Sequence, residues 1–542
     1  MKVINYSEDD SLIRLTKYQK KGILRIVFSR LLHVILLLAL QVYIIFSFFT
    51  WLTGYIPYYR AITTLFTILM LFYLFNSDMD SSAKLTWLFI IALVPVPGAL
   101  FYGFTRVEFG FRSLKERMIE IMSETSGIIK THDSIKKKLR NNSSDINQIS
   151  KYLNKTGCFP VFQEENITYY SSGEKMYEAI LEEVSKAQHF IFLEYFIIEE
   201  GYMWGKLLKL LKEKADAGVD VRVMYDGMCE MKQLPYNYAK RLEAIGIRAK
   251  SFAPILPFIS TYYNYRDHRK ILVIDGKVAF NGGVNLADEY INIVKRFGYW
   301  KDSAVRVKGE AANAYTLMFL QMWSFDEKEF DYKKFLTVDS SKNNSKNKHM
   351  DSNLARTSRK KGYLIPFGDI PLDGYKVSEN IYMDILNRAD SYVHIMTPYL
   401  IMDDELENSI KFAAQRGIDV KIILPGIPDK KMAYSLAKSR YHSLLRSGVK
   451  IYEFTPGFIH SKNLVSDDKR AVVGTINLDY RSLYHHFECG TLLYETKCIG
   501  DIENDFQSTI KKCTEITIDN RSLKNYIYAT TGKMLKLIAP LM

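Results

Sequence analysis

The distribution of apolar residues divides the chain into an N-terminal region of long hydrophobic runs and a longer remainder in which short apolar runs alternate with amphipathic ones. Apolar segments lie at about 31–53, 59–75 and 85–104, and the first contains no Asp, Glu, Lys or Arg. About 20 apolar residues suffice for a helix to cross the hydrocarbon core of a bilayer. The pattern therefore predicts N-terminal transmembrane helices in a membrane-anchoring region, residues 1–105, and a multi-pass membrane location. A cleaved signal peptide is disfavoured, because the first segment is too long and two further apolar runs follow it.

Two topologies agree with this pattern. Residues 1–30 contain seven Lys and Arg residues, which favours the cytoplasmic side for that end of the chain. Three full crossings would then place the rest of the chain outside the cell. If instead the short second segment pairs with the third, which Pro95 and Pro97 interrupt, the rest of the chain stays inside.

The remainder of the chain begins with a polar segment, residues 106–157, whose helical spacing predicts a helical connector. From residue 158 onward, strand-like apolar runs such as 189–198 alternate with amphipathic helical runs such as 204–218, which ends at Gly218. Such alternation predicts an α/β fold with a buried sheet.

This α/β pattern occurs twice. The stretch AGVDVRV in the first half aligns with RGIDVKI in the second, at a period of about 195 residues that is far longer than a solenoid repeat. The duplication predicts two homologous domains, residues 158–335 and 363–520. The segment between them, 336–362, is rich in Ser, Asn and Lys and predicts a flexible linker. The tail, 521–542, predicts an amphipathic helix that either lies at the membrane interface or packs into the core.

A short polar motif also occurs twice, once in each domain. In both copies a Lys follows a His by two residues, an Asp follows that Lys by five, and an Asn follows the His by seventeen. The copies consist of His268, Lys270, Asp275 and Asn285, and of His460, Lys462, Asp467 and Asn477. One copy alone is readily explained by a structural His and surface charges, because short motifs match by accident. Repetition at fixed offsets makes accident a poor explanation, so the motif is predicted to be functional.

Side chains along a strand point alternately to its two sides, and this separates the motif residues into two groups. The His and the Lys are two residues apart and point to the same side of a strand, whereas the Asp points to the other side. Asp275 and Asp467 are therefore predicted to fix the strand or turn geometry. The two imidazoles, two ammonium groups and two carboxamides would form a cationic cleft where the domains meet.

Such a cleft suits a phosphate diester. The two lysines and two asparagines can neutralise and orient phosphoryl oxygens, so neither a metal ion nor another cofactor is predicted. One His can attack phosphorus to give a phosphohistidine, while the other protonates the leaving alcohol and then deprotonates the incoming one. The two half-sites are alike in sequence, so these observations do not select the nucleophile.

Each active His needs an acceptor for its second ring nitrogen. Asp302, in YWKDSAVRV, and Glu488, in HHFECG, follow the two motif copies on apolar strands and are predicted to be these acceptors. Their offsets from the preceding His differ, so a surface salt bridge is the alternative interpretation of each. His485 and His486 are interpreted as structural or substrate-lining residues.

Charge and cysteine content narrow the class of function. The formal net charge of +13 favours a polyanionic partner, either nucleic acid or an anionic membrane surface. The apolar segments favour membrane lipid, so no nucleic acid is expected as a partner. The five cysteines are scattered and contain no CxxC pair, which disfavours a disulfide framework and a zinc site. An oligomer is compatible with the sequence, but nothing in the sequence indicates one.

The doubled HxKxxxxD motif resembles that of the phospholipase D superfamily. Within it, YRDHRKILVIDGKVAFNGGVNLADEY and GFIHSKNLVSDDKRAVVGTINLDYRSLYHHFECG are similar to the bacterial cardiolipin synthases. The resemblance implies two α-β-α sandwich domains that form one catalytic unit with a pseudo-two-fold axis, held at the bacterial cytoplasmic membrane. It also implies a reaction in which two phosphatidylglycerol molecules give cardiolipin and glycerol through a phosphatidyl-histidine intermediate.

The resemblance further implies roles for individual residues. His268 would be the nucleophile, and His460 would be the general acid and base. The phosphate-binding residues would be Lys270, Lys462, Asn285 and Asn477, and the structural ones Asp275 and Asp467. Where many members of the family have Asn-Phe-Glu, this chain has His486, Phe487 and Glu488, which leaves the role of His486 open.

Other functions use the same constellation of residues. A hydrolase of the phospholipase D type would pass the phosphatidyl group to water, and a different phosphatidyltransferase would pass it to another alcohol. A membrane-bound nuclease would explain the positive charge but not the apolar segments. A catalytically inactive scaffold that binds anionic lipid would tolerate replacement of the motif residues, and the presence of both intact copies counts against it.

Overall fold

A computed structural model describes most of the chain. The residues described are 5–6, 12–15, 30–52, 58–107, 112–142, 144–164, 166–255, 264–336, 362–518 and 523–541. The predicted linker, 336–362, falls almost entirely between two of these ranges, so the prediction of flexibility lies outside the described residues.

The N-terminal region is helical, with helices that span Arg30–Leu52, Tyr59–Phe75, Ser81–Leu93 and Pro95–Val107. The first two match the predicted apolar segments 31–53 and 59–75 to within one residue. The third predicted segment, 85–104, which contains Pro95 and Pro97, is divided between the last two helices. The break at Val94 has a simple cause, since Pro95 lacks a backbone N–H and is therefore favoured at the first position of a new helix. The prediction of transmembrane helices is not supported, because no helix among the described residues combines the length and the apolar character that a crossing requires.

Three further helices connect this region to the first domain. They span Arg112–Thr125, Asp133–Asn142 and Ser144–Gly157. Met118 and Ile121 of the first of them are buried in the central apolar core of the protein. The connector is thereby part of the packed structure.

The first domain contains a mixed seven-stranded sheet. From edge to edge its strands are Asn166–Tyr170, Ala304–Lys308, Val278–Gly282, Lys270–Ile274, Phe190–Tyr195, Asp220–Asp226 and Arg248–Phe252. The last three strands are parallel to one another, and the remaining pairs are antiparallel. The strands are apolar because both faces of the sheet are covered.

The second domain repeats this order of strands. The matching strands of its ten-stranded sheet are Tyr363–Asp369, His486–Tyr494, Arg470–Gly474, Asn463–Ser466, Tyr392–Met396, Asp419–Pro425 and Lys450–Phe454. Phe162–Gln163 and Cys513–Ile516 extend the two edges, and Arg266–Asp267 pairs with the start of the long strand His486–Tyr494. The predictions of an α/β class and of a duplicated domain are confirmed.

Helices cover the sheets. In the first domain they are Gly173–Ser185, Tyr202–Asp216, Cys229–Lys232, Tyr238–Glu243 and Ala312–Trp323, and in the second Val377–Asn387, Asp404–Gln415, Lys431–Arg446, Tyr480–Tyr484 and Cys498–Ile510. Short 3-10 helices span Asp288–Ile291, Ser324–Asp326, Tyr332–Phe335 and Ala539–Leu541. The helix Ala312–Trp323 is buried along most of its length in a core shared by both sheets. This shared core fixes the two domains relative to each other.

Two short strand pairs cross between the domains. Arg266–Asp267 of the first domain lies parallel to the start of the strand His486–Tyr494 of the second. Reciprocally, Gly457–Ile459 of the second domain lies parallel to Tyr299–Lys301 of the first. Each crossing strand directly precedes a motif histidine, so the pairing delivers each histidine to the opposite domain.

The C-terminal helix, Leu523–Leu535, packs along the helix Lys431–Arg446. The two helices approach so closely that a Cβ atom at Gly532 would collide with the carbonyl oxygen of Ser435. Just beyond the helix, the carbonyl oxygen of Leu537 accepts a hydrogen bond of 2.6 Å from the Thr86 hydroxyl in the N-terminal region. Of the two predicted placements for the tail, the structure therefore shows packing against the protein along this face.

The motif aspartates lie in the turns that follow their strands. Asp275 and Asp467 have φ angles of 53° and 55°, a left-handed conformation that Asp tolerates better than most residues. The Asp275 carboxylate accepts hydrogen bonds of 2.7 to 2.9 Å from three successive backbone N–H groups, 188–190. Asp467 does the same for residues 390–392, at 2.9 to 3.0 Å. Each carboxylate therefore ties its turn to the start of the neighbouring strand.

We expect Asp275→Ala to destabilise the first domain. The substitution leaves three backbone N–H groups without their acceptor, and losses of this kind cost about 1–3 kcal/mol. The melting temperature of the detergent-solubilised protein should fall by about 2–4 °C for each kcal/mol lost. Asp275→Asn keeps one acceptor oxygen and should lose less. Asp216→Ala, at a largely exposed carboxylate paired with Lys212, is the matched control, and an Asp275→Ala protein as stable as this control would contradict the anchoring role.

Candidate active site

The two motif histidines occupy equivalent positions at the domain interface. The backbone N–H of His268 donates to the carbonyl oxygen of Phe487 at 3.0 Å, and that of His460 donates to the carbonyl oxygen of Lys301 at 2.7 Å. Both histidines are buried. The crossing strand pairs thus determine where the two imidazoles lie.

Each imidazole contacts a carboxylate of the other domain. The Nδ1 atom of His268 lies 2.8 Å from a carboxylate oxygen of Glu488, and the Nδ1 atom of His460 lies 2.7 Å from one of Asp302. Both carboxylates are fully buried. An Nδ1–H donated to a carboxylate leaves Nε2 as the ring atom available to a substrate. Asp302 and Glu488 are the residues that sequence analysis predicted as acceptors, and the structure pairs each with the histidine of the other motif copy.

The motif lysines lie beneath the histidines. Lys270 Nζ donates to the carbonyl oxygen of His268 at 2.6 Å, and Lys462 Nζ donates likewise to that of His460. Both lysines are almost completely buried. Burial lowers the pKa of Lys270 to about 8 and that of Lys462 to about 7, although nearby carboxylates partly offset this effect.

The same burial acts on the histidines. Burial and the Lys270 ammonium hold the pKa of His268 well below its ordinary value. Burial and the Lys462 ammonium lower the pKa of His460 to about 4, and Asp302 opposes this shift. His460 and Lys462 in turn outweigh the effect of burial on Asp302, whose pKa is lowered, whereas burial raises the pKa of Glu488 well above its ordinary value. The two half-sites are therefore similar in geometry but different in electrostatics.

Both motif asparagines are buried. Asn285 accepts from the Ile197 N–H at 3.0 Å and donates to the Tyr290 hydroxyl at 2.8 Å, so the protein holds both ends of its carboxamide. One of its two amide hydrogens remains for a ligand. Asn477 is buried, and its Oδ1 atom has no hydrogen-bond partner within the described ranges.

A third imidazole, that of His486, lies next to the first. Its ring centroid is 5.4 Å from that of His268, and neither of its nitrogens has a hydrogen-bond partner in the part of the chain that the structure describes. His268, His486 and Glu488 each offer one atom that could bind a metal ion, and these atoms lie within 4.8 Å of one another. Sequence analysis interpreted His486 as a structural or substrate-lining residue, and it did not indicate that His486 lies close to His268.

Aromatic side chains line the walls of the site. The ring of Phe196 lies 4.8 Å from that of His268, and the rings of Tyr290 and Trp300 lie 5.3 and 5.2 Å from that of His460. Sequence analysis did not identify these residues. Their signal in the sequence is weak, because isolated aromatic residues are common. Phe196 directly follows a strand, Tyr290 follows Asn285 by five residues, and Trp300 lies within the short strand Tyr299–Lys301.

Two family models match the chain. The model described as "Cardiolipin synthase, PLD-like domain" matches residues 180–323 and 382–510. The model described as "Phospholipase_D-nuclease N-terminal" matches residues 65–106. The first match covers both halves of the duplication and both copies of the motif.

Similar proteins extend this result to nearly the whole chain. An uncharacterized protein of Streptococcus mutans is 50% identical over 470 residues, covering 87% of this chain and 99% of that protein. A cardiolipin synthase of Halalkalibacterium halodurans is 30% identical over 516 residues, covering 94% of this chain and 98% of that protein. The crystal structure of phosphatidylserine synthase from Haemophilus influenzae shares the fold, with a TM-score of 0.53 at 16% identity over 73% of this chain and 97% of that one. The chain belongs to the cardiolipin synthase family of the phospholipase D superfamily.

Proposed function

We propose that this chain is a cardiolipin synthase, which transfers a phosphatidyl group from one phosphatidylglycerol to another and releases glycerol. The observation that carries the proposal is the pair of buried imidazoles, each bound through Nδ1 to a carboxylate of the other domain and each followed by a buried lysine. The similarity to a cardiolipin synthase over 94% of the chain supports this choice of phosphatidyl acceptor.

The reaction proceeds in two displacements at phosphorus. In the first, Nε2 of one histidine attacks the donor phosphate, the bond from phosphorus to the glycerol oxygen breaks, and the other histidine gives its Nε2 proton to that oxygen. In the second displacement, the histidine that gave up its proton takes a proton from the terminal hydroxyl of the acceptor phosphatidylglycerol. The acceptor oxygen then attacks phosphorus, and the phosphorus–nitrogen bond breaks.

The electrostatic difference between the half-sites supports His268 as the nucleophile. Nucleophilic attack needs a neutral imidazole, and the lowered pKa values of His268 and His460 allow this for both rings, so the choice depends on which histidine is better suited to carry the proton. The proton donor needs a partner that stabilises its charged form, and Asp302, with its lowered pKa, provides this for His460. Bound phosphate adds negative charge beside His460 and favours its protonation further.

The remaining motif residues either bind the phosphate or stabilise the turns that follow the motif strands. Lys270 and Lys462 neutralise the phosphoryl oxygens, which Asn285 and Asn477 help to orient. Asp275 and Asp467 have the structural role that their hydrogen bonds to backbone amides support.

The N-terminal helices bring the enzyme to its lipid substrates. Leu36, Leu65 and Phe72 on these helices are each more than half exposed, a density of exposed apolar side chains that is unusual for a surface in contact with water. The positive net charge favours contact with anionic lipid. We therefore place the protein at the bacterial cytoplasmic membrane.

A product assay tests the function. We expect wild-type protein, incubated with labelled phosphatidylglycerol in the presence of EDTA, to form cardiolipin and glycerol. His268→Ala and His460→Ala should each lower the rate by at least about 100-fold, because each removes a group that acts directly in proton transfer or in attack at phosphorus. His132→Ala, at an exposed histidine that also contacts a carboxylate, is the matched control. Phosphatidic acid as the product would indicate a hydrolase, and unchanged synthesis by both variants would refute the mechanism.

The buried lysines predict a pH dependence of substrate binding. Both are charged below pH 7, and they lose their protons as the pH rises through about 7 for Lys462 and about 8 for Lys270. Since the charged form binds phosphate, the KM for phosphatidylglycerol should rise between pH 7 and pH 9. The variant Lys462→Arg, which stays charged, should flatten the lower part of this rise. A KM that is constant over this range in the wild type would count against lysine binding of phosphate.

A further inference from the structure

A cavity of about 400 Å³ lies where the N-terminal helices meet the second domain. Three separate parts of the chain contribute to its walls, in addition to Asn264 and Tyr265. The residues relevant here are Ala83, Trp87, Tyr265, Arg481, His485 and Pro540. Its volume is in the range of sites that bind small molecules and cofactors.

Arg481 gives the cavity a cation that is available to a ligand. Its side chain is exposed, and its guanidinium group makes no hydrogen bond or ion pair with the residues for which the structure gives a position. Two carboxylates lie nearby, but Asp80 and Asp479 each cap a helix and accept hydrogen bonds from its backbone N–H groups. Among the described residues, no direct hydrogen-bond or ion-pair partner therefore neutralises the charge of Arg481.

The cavity adjoins the catalytic centre. His485 lines the cavity, and the next residue is His486, whose ring lies 5.4 Å from that of His268. The charge of Arg481 is close enough to contribute to the lowered pKa of His486, after burial itself. The segment that carries His485 and His486 therefore lies between the cavity and the reacting histidine.

The proposed reaction brings a second phosphate, that of the acceptor phosphatidylglycerol, close to the reacting histidine. The donor phosphate lies on the reacting histidine and occupies Lys270 and Lys462. The acceptor attacks with the terminal hydroxyl of its glycerol, so its own phosphate lies three carbon atoms away from the reacting oxygen. Two phosphates held so close together need separate cations, because like charges repel strongly in a buried site.

We propose that this cavity is the subsite for the acceptor phosphatidylglycerol, with Arg481 binding the acceptor phosphate. A guanidinium group can donate two parallel hydrogen bonds to a phosphate and suits this role better than an amine. Trp87 and the neighbouring apolar wall receive the glycerol backbone and the first carbons of the acyl chains. This inference rests on the proposed function and extends it, since a lipid in this place occupies the position from which water would otherwise attack.

Two acceptors compared on the same enzyme test the inference. Labelled glycerol exchanges into phosphatidylglycerol through the same covalent intermediate, but glycerol carries no phosphate. We expect Arg481→Gln to lower the rate of cardiolipin formation by about tenfold or more relative to glycerol exchange, because a lost charge-assisted hydrogen bond to phosphate costs about that much. Arg481→Lys should lose less than Arg481→Gln. Arg248→Gln, at an exposed arginine on the far edge of the first sheet, is the matched control and should leave the ratio unchanged.

A second variant keeps the test valid if Arg481→Gln does not fold. Ala83→Phe would fill the cavity from the N-terminal side without altering the arginine, and it should lower the same ratio. A ratio equal to that of the wild type in the folded variants would overturn the acceptor subsite, even if both rates fall together. Wild-type protein that exchanges glycerol but forms no cardiolipin would instead overturn the proposed function, so the two failures are distinguishable.

Discussion

The catalytic centre depends on hydrogen bonds that cross between the two domains. Neither domain contains a complete half-site, because the carboxylate that holds each imidazole belongs to the other domain. The backbone of the same segments forms the crossing strand pairs, so the docking of the domains and the assembly of the site are one event. In a domain separated from its partner, each imidazole would lose the carboxylate that orients it, so neither domain alone would hold a catalytic histidine in place.

The symmetry of this arrangement is geometric but not electrostatic. Asp302 and Glu488 occupy equivalent positions, yet the pKa of the first is lowered and that of the second is raised. The difference arises from the balance of effects at each carboxylate. His460 and Lys462 outweigh burial at Asp302, whereas burial dominates at Glu488.

Local patterns predicted much of the fold and of the candidate site. Strand alternation and the doubled motif identified the α/β domains, the histidines and the lysines, because these features depend on residues that are close in the chain. The crosswise pairing of His268 with Glu488 could not be predicted, since it depends on how the domains dock. The interruption of the third apolar segment was predictable from Pro95 and Pro97, because a proline acts on the backbone next to it. Phe196, Tyr290 and the proximity of His486 were missed because their significance comes only from contacts between distant segments.

The hydrogen bond between the Thr86 hydroxyl and the carbonyl oxygen of Leu537 joins residues that are 451 positions apart in the chain. Contacts between such distant residues form slowly, because the long chain between them must first be brought together. Both α/β domains lie between these two residues in the chain. We therefore expect the docking of the helix Ser81–Leu93 onto the end of the C-terminal helix to be a late step of folding, which follows the assembly of the two domains.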